Sequence, residues 1–236
     1  MTGTRAQRDG YDVGLHLLDR QIIGADDRLV AKVDDVELTL DDDGALVPTA
    51  LLVGLPALLP RFGPRLGSGL ARAHRLVREA AADQAQPLII DLDLVAEVTS
   101  DVRLTRPAHG LLRRMDQRRA EDPRRCRVGD LLGLPVRCAA LPRRSKVLDL
   151  RMVGAPGSAG PHRVTALIVG PGRPGALFGY DRRSEPGPAV VGSVARWLHR
   201  HARVVDLDEA VRIDREVGEV GEVYVGADAS LHPLRG

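Results

Sequence analysis

Lysine is nearly absent. Only Lys32 and Lys146 occur in 236 residues, so almost all of the basic charge is arginine. Aromatic residues make up only 3% of the chain, which excludes a stacking platform for single-stranded nucleic acid. Two cysteines, Cys126 and Cys138, cannot make a disulfide framework and are not spaced as a CxxC pair. They are expected to be reduced and structural. No apolar run approaches the roughly 20 residues that span a bilayer. The polar stretch from Met1 to Gly14 lacks the apolar core of a secretory signal. The net charge is only +2, too little for the field of a dedicated nucleic-acid binder. What remains is 44% hydrophobic and 28% charged, an ordinary globular composition with length for one large domain or two small ones. A soluble, cytoplasmic protein is expected.

The charge is unevenly placed. Asp26, Asp27, Asp34, Asp35, Glu37, Asp41, Asp42 and Asp43 crowd an early segment. Arg103, Arg106, Arg113, Arg114, Arg118, Arg119, Arg124, Arg125 and Arg127 crowd the middle. The excess of arginine over lysine fits high-GC coding. The arginine cluster reads as a solvated connector or as a surface that docks an acidic partner.

The two halves of the chain repeat each other in three ordered blocks. Leu17, Leu18, Lys32, Val33 and Asp35 recur as Leu131, Leu132, Lys146, Val147 and Asp149. Thr49-Ala50-Leu51-Leu52-Val53-Gly54 recurs as Thr165-Ala166-Leu167-Ile168-Val169-Gly170, with Phe62-Gly63 and Phe178-Gly179 in the same register. Ile90-Asp91-Leu92-Asp93 recurs as Val205-Asp206-Leu207-Asp208. Three blocks in conserved order establish a tandem duplication.

Each half then carries the same elements. Val36, Leu38 and Leu40 alternate with Glu37 and Thr39, and Leu150 and Met152 with Asp149 and Arg151, which predicts half-buried strands. Ala50–Val53 and Ala166–Val169 are short apolar runs ended by Gly54 and Gly170, and read as buried strands. Leu70, Ala73, Val77 and Ala81 form a helical stripe, as do Val190, Val191, Val194 and Leu198 beside Trp197. Strands around 88–91 and 203–206 follow. The fold class expected is mainly β with a few helices: two tandem small antiparallel barrels, each with one amphipathic helix. The boundaries are 12–104 for the first repeat, 105–125 for an arginine-rich, semi-flexible linker, and 126–225 for the second.

The stretch Leu17-Leu18-Asp19-Arg20-Gln21-Ile22-Ile23, followed by Ala31-Lys32-Val33-Asp34-Asp35-Val36, resembles the opening of a PRC-barrel domain. Val164–Gly170 is similar to the third strand of that family, and Val204-Val205-Asp206-Leu207-Asp208 to the segment before its last strand. In the second copy, Pro135 and 139–144 replace the usual Asp-Gly turn; in the first, Pro60 and Pro64 interrupt the short fourth strand. The family includes a domain of the photosynthetic reaction centre H subunit and one of a ribosome maturation factor. The resemblance implies a small barrel that binds other macromolecules, with no shared catalytic residues.

No catalytic constellation stands out. His199 and His201 are two apart on a predicted helix, a poor metal pair, and His16, His74, His109, His162 and His232 are scattered. Asp41-Asp42-Asp43-Gly44 lacks the later ligands of a calcium loop and reads as a polar hairpin turn. None of the serines sits in a nucleophile elbow, and no cofactor motif is present. Asp35 and Asp149 fill equivalent repeat positions, either in a structural-turn or barrel-rim role or as a contact used twice on the surface. The candidate interaction residues are therefore Arg113, Arg114, Arg118, Arg119, Asp35 and Asp149. The expected function is that of a non-enzymatic adaptor or scaffold with a protein partner. Its alternatives are association with RNA or the ribosome, a peripheral regulatory role at a membrane protein or metal transporter, and a small-molecule-binding barrel.

Overall fold

The computed structural model describes residues 10–58, 86–153, 162–171, 202–208, 211–214 and 221–234. The helices predicted over 70–81 and 190–198, and the Phe-Gly pairs at 62–63 and 178–179, lie outside these residues. Among the described residues the chain is mainly β. The strands are β1 (Gly10–Asp12), β2 (Gln21–Ile23), β3 (Leu29–Lys32), β4 (Asp35–Leu40), β5 (Leu46–Val53) and β6 (Leu88–Asp91). Then come β7 (Val95–Val98), β8 (Val102–Leu104), β9 (Arg113–Arg114), β10 (Arg125–Arg127), β11 (Val136–Arg137) and β12 (Ser145–Val153). The last are β13 (Arg163–Pro171), β14 (Arg203–Asp206), β15 (Val211–Asp214), β16 (Glu222–Val225) and β17 (Leu231–Pro233).

The duplicated sequence builds duplicated sheets. One five-stranded sheet has the order β10-β4-β5-β6-β9, and the other β1-β12-β13-β14-β17. In repeat register these are the same sheet, strand for strand. The smaller sheets also match: β2 runs parallel to β8 as β11 runs parallel to β16. The Gln21–Lys32 pairing of the first half returns as a single Pro135–Lys146 bridge in the second. Local bonds repeat too. Asp19 N–H donates to the Val33 carbonyl at 2.9 Å and Gly133 N–H to that of Val147 at 2.8 Å. Both turn residues have positive φ, 67° at Asp19 and 81° at Gly133, where glycine avoids the strain an L side chain incurs. None of the sheets closes into a barrel among the described residues.

Apolar side chains from the central strands form the cores. Ala50, Leu52, Ile89 and Met115 pack with Ala57 in the first, and Ala166, Ile168 and Val204 pack with Leu148 and Leu234 in the second. The hairpin between β4 and β5 turns through Asp41–Ala45. The Asp41 carboxylate accepts from Asp43 N–H and Ala45 N–H, and Gly44 takes φ 79°, so this acidic run is a turn.

Two sequence expectations need correction. The stretch 105–125 is not a linker: β9 pairs with β6, and β10, which starts at Arg125, pairs with β4. Strand β4 is not half-buried either. Its residues Asp35 to Leu38 are all buried, Glu37 included, whereas Leu40 is exposed. The polar face of β4 is covered by arginines from the supposed linker.

The chain divides into two compact units, and neither is a sequence half. The first is centred on His16–Asp130, while the second combines Asp12–Leu15 with Leu131–Met152 and the strands from Val164 onward. Strand β1 and the helical turn Val13–His16 open the first repeat, yet β1 is the edge of the second repeat's sheet. Strand β10 and the turn Val128–Leu131 open the second repeat, yet β10 is the edge of the first repeat's sheet. The two repeats have exchanged their opening strands.

Candidate functional site

Each exchanged segment is fastened by a buried carboxylate. Asp35 starts β4, and its Oδ1 accepts from Val36 N–H at 2.8 Å and from Gly129 N–H at 3.0 Å. Asp149 sits at the matching place in β12, and its Oδ1 accepts from Leu150 N–H and Gly14 N–H, both at 2.8 Å. Both side chains are essentially inaccessible, at 0% and 1%. They are thus buried and hold backbone amides, and are not a surface contact used twice. Burial pushes the Asp35 carboxyl up to about 7, against its amide hydrogen bonds and the nearby Arg127 charge; the Asp130 charge adds to the rise.

A second charged group lies two residues along each strand. Glu37, 2% exposed, accepts from Arg119 Nη2 at 2.6 Å, Arg125 Nη1 at 2.8 Å and the Thr49 hydroxyl at 2.8 Å. Arg119 also reaches Asp91 at 3.2 Å. It is carried by the helical turn Gln117–Glu121, whose N-cap is Asp116: the Asp116 carboxylate accepts from Arg119 N–H at 2.7 Å. Its hydrogen bond to Glu37 holds the guanidinium above its ordinary pKa. In the second repeat the residue matching Glu37 is Arg151, which donates to the Asp12 carboxylate at 2.8 and 3.2 Å. The same structural position therefore carries opposite signs in the two units.

The arginines singled out from the sequence separate into two kinds. Arg119 is consumed inside its unit, and Arg113 pairs with Asp91. Arg114 and Arg118 are exposed. Among the described residues no cluster of His, Cys, Asp and Glu is arranged to hold a metal ion. Cys126 is buried and Cys138 half-buried, and no disulfide joins them. His232 meets Asp206 at 3.1 Å and His162 meets the Tyr11 hydroxyl at 3.3 Å; His74, His199 and His201 lie outside the described residues.

No protein-family model matches this chain, and no curated protein matches it at a significant level. Among the described residues, no helix is long and apolar enough to cross a membrane.

Sequence reasoning did not single out Asp12, Glu37, Arg125 or Arg151 as members of paired sites. The signal was present: aligning the repeats places Glu37 on Arg151. It went unused because the alternation of β4 put Glu37 on a solvated face, whereas β10 and the turn bearing Arg119 cover that face.

Proposed function

We propose that this chain is a non-enzymatic binding scaffold, a cytoplasmic adaptor made of two PRC-type modules that engages a protein partner. The observation that carries this reading is the fate of the buried charges. Asp35, Glu37, Asp149 and Asp12 each bind backbone amides or arginines of the same unit. These charged groups are thereby spent on holding strands, whereas Arg114 and Arg118 are exposed on the 113–118 segment. Exposed arginines suit an acidic protein surface, where the planar guanidinium pairs bidentately with carboxylates.

The test is recovery of a tagged copy from its native host after gentle crosslinking, with and without nuclease. A single protein recovered despite nuclease, and lost from the Arg114→Glu/Arg118→Glu variant, supports the adaptor. Recovery of no partner, or of one indifferent to both arginines, overturns it. Nuclease-sensitive recovery of ribosomal proteins, with affinity falling steeply as salt rises, replaces it with the RNA reading that the same two exposed arginines favour.

A further inference from the structure

We infer that the opposite charges at one repeat position form a pairing code that sends each opening strand to the other half of the chain. The buried caps cannot supply this selectivity. Asp35 and Asp149 each take the N–H of a glycine in an equivalent helical turn, Gly129 or Gly14, so the two caps have the same chemistry. Backbone pairing does not distinguish the strands either, because the two sheets share one strand order.

The charged position does distinguish them. In the exchanged arrangement Arg125 meets Glu37 and Asp12 meets Arg151. Arg127, the repeat counterpart of Asp12, lies directly across from Glu37 in the β10–β4 ladder. If each half kept its own opening strand, Asp12 would instead face Glu37, and Arg125 and Arg127 would face Arg151. Both pairings would then bring like charges together at positions that are buried or nearly so: Glu37 is 2% exposed and Asp12 7%. Like charges in a low-dielectric site are disfavoured; Glu37 would keep Arg119 but lose Arg125, and Arg151 would lose Asp12, which adds a desolvation cost. Each ion pair thus stabilises the observed partner and repels the wrong one.

The arrangement can be read with a disulfide. Leu40 N–H donates to the Arg124 carbonyl at 2.8 Å where β10 runs beside β4, and both side chains are exposed. A Leu40→Cys/Arg124→Cys protein should form an intrachain 40–124 disulfide, located by peptide mass spectrometry. Adding Asp12→Arg with Arg151→Glu keeps an ion pair in every arrangement but erases the discrimination. The 40–124 disulfide is then expected to fall by about half, as two equally paired arrangements share the population. Adding Asp12→Asn with Arg151→Gln instead leaves Glu37 and Arg125 to enforce exchange, so the disulfide is expected to persist. A disulfide that survives undiminished in the charge-reversed protein overturns the code. So does an equal loss in both variants, which would mark simple disruption of the strand. Should the D12R/R151E protein show no cooperative melt, D12K/R151D carries the same signs with shorter side chains and the same expected loss.

Discussion

The backbone N–H of Gly14 donates to the buried carboxylate of Asp149, 135 residues later in the chain, at 2.8 Å. This bond pins an N-terminal turn onto β12 of the second sheet. Its counterpart, Gly129 to Asp35, pins a mid-chain turn onto the first. A Cβ on Gly14 would lie 2.8 Å from Asp149 Oδ2 and 3.1 Å from its Cγ, so the glycine is required for close approach. Gly14→Ala is expected to destabilise the protein by about 2 kcal/mol through loss of this bond and steric displacement. Urea unfolding followed by circular dichroism checks this, and an unchanged midpoint would show that the turn adjusts freely.

Asp35 should impose a pH dependence on stability. Its folded-state pKa, about 7, lies above the ordinary aspartate value of 3.8. A raised carboxyl favours the folded state in its protonated form. This contribution is therefore fully present below about pH 4 and lost as pH rises through about 7, by about 4 kcal/mol at most. Asp35→Asn keeps an Oδ1 acceptor for Val36 and Gly129 without the charge. The stability of D35N relative to wild type is expected to climb between pH 4.5 and pH 8. A difference that stays flat across that range would count against an elevated Asp35.

Removing Glu37 should cost more than removing either arginine that binds it. Glu37→Ala strands Arg119 and Arg125 together without their shared carboxylate, and breaking a buried pair from one side costs about 3–5 kcal/mol. Arg125→Ala leaves Arg119 in place, and a smaller loss is expected. A double-mutant cycle over Glu37 and Arg119, read by denaturant unfolding, should return a coupling of about 1–3 kcal/mol. Additive losses would mean that the two side chains merely sit near each other.

Arg114→Glu and Arg118→Glu should leave the fold alone. Both side chains are exposed, so each change is expected to stay within about 0.5 kcal/mol of wild type in thermal unfolding while reducing partner recovery. A variant that melts early would place those arginines among the structural ones.

Much of the architecture was legible from the residues. The repeat was plain in matched words such as Thr49–Gly54 and Thr165–Gly170, and β5, β6, β12, β13 and β14 fall where the apolar runs predicted. The turn at 41–44 was legible because aspartate and glycine have local reasons to form it. The exchange was not, because strand order is a long-range property: nothing within Arg125-Cys126-Arg127 names β4 as its neighbour. The arginine-rich stretch looked like a solvated linker for the same reason. Its charge is compensated by Glu37 and Asp91, which are distant in sequence, and one-dimensional reading weighs charge only against near neighbours. Asp35 and Asp149 were picked out by recurrence, while their burial came from helical turns that each half supplies to the other.

The exchange also sets a timetable for synthesis. Asp12 leaves the ribosome 139 residues before Arg151, a wait of roughly 7 to 28 s at about 5–20 residues per second. From the completion of β4 at Leu40 until β10 is made at Arg127, the edge of β4 is open and offers the waiting N-terminal strand a place to settle. Glu37 makes that place inhospitable to Asp12, so the nascent chain keeps its first strand in reserve until the last sheet arrives.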